Sequence, residues 1–162
     1  MGFLAPLLLP VKLILKDLCK EKKGWDQEIP EKPRRTWMKL LTDLDKLSEL
    51  SVNRCFKPTA FGPTKAAQIH HFSDASQDGY GVVSYLLSKN DQGEEHVSFL
   101  MGKSRVAPLK QITIPRMELT AAMIVVKMDR MVRKELEVPL MESAFWTDST
   151  TVLKNIENDG LR

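Results

Sequence analysis

Three runs of strand-forming residues, Gln68–Asp74, Gly81–Leu87 and His96–Met101, are separated by turns of only a few residues, and this restricts the fold more than any other feature. The turn signals are Gln77-Asp78-Gly79 and Lys89–Gly93. Connections this short join antiparallel neighbours, so the three runs are predicted to form a meander. After them the apolar period changes from two to 3.6. Pro115 opens a helix whose apolar stripe is Met117, Ala121, Ile124, Val125, Met128 and Met131 (or Val132), running to about Leu136. Val138-Pro139 breaks it, Ala144–Thr147 reads as a fourth strand, and Thr150–Asn158 starts another helix. A strand reached through a crossover helix implies parallel pairing, with a right-handed connection. The fold class is therefore α/β, with a mixed sheet.

The first 66 residues read differently. Val11, Ile14, Leu15 and Leu18 form one apolar helical stripe, opposed by Lys12, Lys16, Lys20, Lys22 and Lys23 and ended by Gly24. This predicts a buried helix preceded by a proline-punctuated loop. A second amphipathic pattern runs through Trp37, Leu40, Leu41, Leu44 and Leu47; Ser51–Phe56 is a short extended candidate, and Lys57–Lys65 reads as a linker. Residues 1–66 carry thirteen Lys/Arg against eight Asp/Glu, whereas residues 67–162 carry eleven against thirteen, which supports a division at that point.

Several classes are disfavoured. With 43% hydrophobic and 28% charged residues, the chain matches neither a disordered nor a fibrous composition. The apolar run before Lys12 is about half of the ~20 residues that span a bilayer, and it lacks a basic flank and a small-residue cleavage site. Gly2 lacks the Ser or Thr of a myristoylation motif, because Pro6 and Leu7 stand there instead. Cys19 and Cys55 have no disulfide-framework or metal-site spacing. The expectation is an intracellular protein, cytoplasmic or nuclear, without a membrane anchor.

Three carboxylates stand at informative places: Asp74 at the end of the first strand, Glu118 in the first turns of the long helix, and Asp148 after the fourth strand. Each has a plain structural explanation. Asp74 would cap the turn with Ser76, Glu118 would favour the positive end of its helix, and Asp148 would N-cap the next one. Taken together they point elsewhere. If the first and fourth strands are adjacent and parallel, both aspartates emerge at one end of the sheet, with Glu118 near the start of the covering helix. Converging carboxylates of this kind suit magnesium or manganese. Two such ions serve phosphodiester cleavage. His70 and His71 alternate across a strand and are poorly placed for joint metal binding.

Phe72-Ser73-Asp74-Ala75-Ser76, Arg116-Met117-Glu118-Leu119 and Trp146-Thr147-Asp148-Ser149 resemble the three leading carboxylate motifs of the ribonuclease H domain. Gly102–Pro108 (Gly-Lys-Ser-Arg-Val-Ala-Pro), followed by Ile114-Pro115-Arg116-Met117-Glu118-Leu119, is similar to the version in BEL/Pao-type retrotransposon polyproteins. The first 66 residues, including Gly24-Trp25-Asp26, resemble the end of the reverse transcriptase region there. The resemblance implies two-metal hydrolysis of the RNA strand of RNA–DNA hybrids, with two Mg2+ (or Mn2+) ions. Asp74, Glu118 and Asp148 are then the catalytic and metal-holding residues.

The implied partners are an RNA–DNA hybrid, or other nucleic acid, and the remainder of a polyprotein. The family's fourth carboxylate has no counterpart, since Asp159 follows Asp148 too closely. The resemblance therefore implies a domain incomplete before its fifth strand and impaired in catalysis. The basic run Lys103, Arg105, Lys110 and Arg116, free of acidic residues, is the expected phosphate contact, together with Ser104, Ser76 and Ser149.

Two other readings compete. One is a catalytically inactive nucleic-acid-binding fragment or relic. The other is an integrase-like enzyme, against which Glu118 lies between the two aspartates in sequence rather than after them.

Overall fold

The computed structural model describes residues 2–53, 55–110 and 112–159. Its centre is a four-stranded sheet ordered β3-β2-β1-β4. Strands β1 (Thr64–Ala75), β2 (Gly79–Asn90) and β3 (Glu95–Val106) form the expected antiparallel meander. The short β4 (Ala144–Trp146) lies parallel to β1 on its free side. The long helix α3 (Ile114–Glu135) makes the crossover, and α4 (Thr150–Asp159) follows β4. The side chain of Asp159 lies outside what is described.

The meander strands are longer than the sequence indicates, because turn residues at their ends still pair. Lys103–Arg105, beyond the expected end of the third strand at Met101, continues β3 opposite Val82–Tyr80.

The alternation of β1 and β2 decides which face α3 covers. Ala67, Ile69 and His71 on β1, with Val82, Ser84, Leu86 and Ser88 on β2, are buried on that face. From α3, Ala121, Val125 and Met128 pack against Val82, with Tyr80, Met101 and Ile124 beside them. A second apolar group joins Ala67, Ile69 and Leu86 to Val132, Leu136, Val138 and Leu140, so the end of α3 and the chain leading to β4 are held by the same core. Val132 therefore takes the last core position of the stripe, and Met131 is left exposed.

Helix α1 (Ala5–Lys20) differs from expectation at both ends. It begins before Pro10 because Pro6 sits in its first turn, where the missing N–H costs nothing. Pro10 removes a single bond inside the helix. Its stop is Lys22 rather than Gly24: Lys22 adopts φ 55°, and Lys23 N–H and Lys22 N–H donate to Leu18 and Cys19 carbonyls, which is a Schellman closure. The helix is half-buried rather than buried. It rests on β3, where Phe3 meets Phe99 at a centroid distance of 4.1 Å.

Helix α2 (Glu31–Asp45) contacts α1 and also has no buried residue. The extended candidate Ser51–Phe56 forms no strand in its described residues, of which Arg54 is not one. Among the described residues no helix is long and apolar enough to cross a membrane.

Candidate functional site

Asp74 lies one residue before the end of β1, opposite Gly81 of β2. On the other side, β4 pairs in register with β1 so that His70 faces Ala144 and Phe72 faces Trp146. Two residues beyond the last of these pairs come Asp74, still in β1, and Asp148, just past the end of β4. Both line one cleft of about 970 Å³ on the sheet face opposite α3. Its floor is aromatic: Phe72 stacks on Trp146 (6.0 Å, 12°) and packs edge-on to Tyr85, which meets Phe99 in the same way. Phe3, Pro6 and Leu9 from the N-terminal helical segment form one wall.

The plain explanations of the two aspartates do not describe what their side chains do. The cap of α4 is Ser149, whose hydroxyl accepts from Val152 N–H at 3.2 Å, and this leaves Asp148 exposed and free of that duty. The turn after β1 is closed by Ser76, whose N–H donates to the Gly79 carbonyl at 2.7 Å and whose hydroxyl accepts from Asp78 N–H. Among the described residues Asp74 accepts only the neighbouring Ala75 N–H, at 2.7 Å. Among the described residues the ion pairs lie elsewhere, so neither aspartate is neutralised by a lysine or arginine.

Glu118 is placed differently. It sits half-buried in the second turn of α3 and accepts the Ser149 hydroxyl at 2.5 Å. It therefore adjoins Asp148 through the next residue in sequence but does not line the cleft. Among the described residues no three His, Cys, Asp or Glu side chains come close enough to hold one metal ion. The donors fit a hard divalent cation in kind, being carboxylate oxygens at an open cleft. Asp74 and Asp148 line the same cleft, and Glu118 is tied to Ser149 next to Asp148 in the chain.

The expected phosphate contacts divide between two hollows. Lys103, Ser104 and Ser76 line the carboxylate cleft. Arg105, again with Lys103, lines a smaller hollow of about 300 Å³ against α3, with Lys127 beside it. Lys110 and Arg116 are exposed but line neither hollow. Ser149 is buried, as the cap.

Two features were not read from the sequence. Lys12 reaches across from α1 to donate to the Ser104 carbonyl at 3.3 Å, a contact no sequence pattern announces. The aromatic floor could have been found, because alternation places His70, Phe72 and Asp74 on one face of their strand.

A mixed sheet of an antiparallel meander with a parallel strand reached through a crossover helix is the architecture of a ribonuclease H-like domain. The chain belongs to the Pao retrotransposon-like RNaseH-like domain family, whose model matches residues 1–149 and so includes Asp74, Glu118 and Asp148 as well as both N-terminal helices. No curated protein matches it significantly.

Proposed function

We propose that this domain hydrolyses the RNA strand of RNA–DNA hybrids within a retroelement polyprotein, inside the cell. One observation carries the reading: Asp74 at the end of β1 and Asp148 just after β4 line one cleft, and among the described residues neither is consumed by a helix cap or an ion pair. In this reading Asp74 and Asp148 hold divalent magnesium or manganese, and Glu118 completes the set. Such ions, when bound, stabilise the charge that develops on a phosphodiester undergoing hydrolysis.

The chain's own contribution is binding and orientation. Lys103 at the cleft and Arg105 on the same strand contact phosphates of the hybrid. Ser149 fixes where the Glu118 carboxylate stands. The first 66 residues correspond to the end of a reverse transcriptase region, whose remainder is the natural partner.

A second reading has its own support. Because Glu118 is engaged by Ser149 and the three carboxylates do not close around one point, the domain would bind nucleic acid without cutting it. Incubation with a labelled RNA–DNA hybrid and Mg2+ separates the two. Metal-dependent cleavage that falls at least about a hundredfold in Asp74→Asn is expected, the scale lost when a group acting in the transition state is removed. Equal cleavage by the variant refutes the assignment, and binding without cleavage by the wild type selects the second reading.

A further inference from the structure

The pairing of β1 with the chain that becomes β4 changes register along its length. Ala67 forms a parallel bridge with Leu140, fixed by Ala67 N–H to the Pro139 carbonyl and Met141 N–H to the Ala67 carbonyl, each 2.8 Å. Three residues later on β1, His70 pairs with Ala144, four residues later on the incoming chain. One extra residue is therefore accommodated within Met141–Ser143, as in a bulge.

That residue decides the site. Side chains alternate, so a one-residue slip exchanges the two faces of a strand. With the register of the Leu140 bridge continued, Thr147 would stand level with Asp74, and Asp148 would be carried past it to the opposite face. β4 is three residues long and lies at the sheet edge, so its own ladder offers little to choose between the two registers.

A polar network, buried at its His71–Ser84 end and partly exposed at Arg133, grips the segment where the shift occurs. Arg133, on α3, donates through one nitrogen to the Met141 carbonyl at 2.8 Å and to the Ser143 hydroxyl at 3.0 Å. Ser143 in turn donates to Asp129 Oδ1 at 2.5 Å. The same oxygen receives Nε2–H of His71 from β1 at 3.1 Å, and His71 Nδ1 meets the Ser84 hydroxyl of β2 at 2.7 Å. Asp129 is 14% exposed, and His71 and Ser84 are wholly buried. A serine, a histidine and an aspartate in this order resemble a nucleophile with its base, but Ser84 has no access to a substrate. The network is structural. It joins β1, which carries Asp74, α3, which carries Glu118, and the entry to β4, which leads to Asp148.

We infer that Asp129, supported by Arg133, is a positioning residue that selects the β4 register and so sets Asp148 level with Asp74. The register claim stands by itself; its bearing on hydrolysis rests on the metal-holding role proposed for the two aspartates. The test is NMR on the full chain. In the wild type, cross-strand NOEs are expected between the 70–144 and 72–146 pairs.

In Asp129→Leu these NOEs are expected to vanish or move by one residue, and the Ala144–Trp146 amides to exchange at least about tenfold faster through local opening. The β1–β2–β3 NOEs should persist. Asp129→Asn keeps an acceptor at Oδ1 and is expected to keep the register. Unchanged NOEs and exchange in Asp129→Leu overturn the inference. Should that variant fail to fold, Ser143→Ala, which removes one hydroxyl, is read the same way: unchanged exchange of Ala144–Trp146 overturns the inference, and accelerated exchange supports it. Mn2+ line broadening in the wild type keeps the two ideas apart. Its absence at Asp74 and Asp148 counts against the metal reading while the register result stands.

Discussion

Replacing Ser149 by alanine removes two interactions from one buried atom. The hydroxyl accepts the N–H of Val152, itself 2% exposed, and donates to Glu118. Loss of a serine N-cap costs about 1 kcal/mol. A hydrogen bond to a charged group contributes about 1.5–3 kcal/mol, but Glu118 is half-exposed and water replaces part of it, leaving about 1 kcal/mol. The expected loss for Ser149→Ala is therefore about 2 kcal/mol. For a chain of this size that lowers the melting temperature by about 4–8 °C.

Urea and thermal unfolding followed by circular dichroism measure it, with an unchanged denaturant slope showing that the unfolded state is not the cause. A cycle with Glu118→Ala isolates the serine–carboxylate contact, which should couple by about 1 kcal/mol. A loss below about 0.5 kcal/mol with no coupling would show that α4 is not anchored to α3 through this atom, and the account of Glu118 would fail with it.

Two other outcomes follow from the same packing and charge. Leu86→Ala empties a fully buried position shared by β2, the end of α3 and the approach to β4, and should cost about 2–5 kcal/mol in chemical denaturation; a cost under about 1 kcal/mol would contradict that core. If the domain binds hybrids as proposed, Lys103→Ala and Arg105→Ala should each weaken binding and reduce the salt slope by about one, whereas Lys89→Ala, paired with Glu95 at the far end of the strands, should leave the slope unchanged. Equal slopes for all three variants would remove β3 from the interface.

Much of the fold is local in origin and could be read directly. Short turns dictate an antiparallel meander, and the 3.6-residue stripe from Met117 to Met128 dictates a helix with one buried face. The errors fell where tertiary contact outweighs local preference. Pro10 is tolerated inside α1 while the helix lies against β3, and Lys103–Arg105 extends β3 because Tyr80–Val82 offers it partners. The extended preference of Ser51–Phe56 finds no neighbouring strand to satisfy.

The site divides in the same way. Sequence alone supplied the three carboxylates and their order, since motif spacing is a property of the chain. Which of them meet is a property of the sheet. One residue absorbed between Leu140 and Ala144 sets the Phe72–Trp146 pairing that precedes Asp148, and Ser149, rather than Asp148, caps the next helix and holds Glu118. A pairing register and a cap are choices among alternatives nearly equal in local energy. Contacts between residues far apart in the chain, such as His71 with Asp129, settle them.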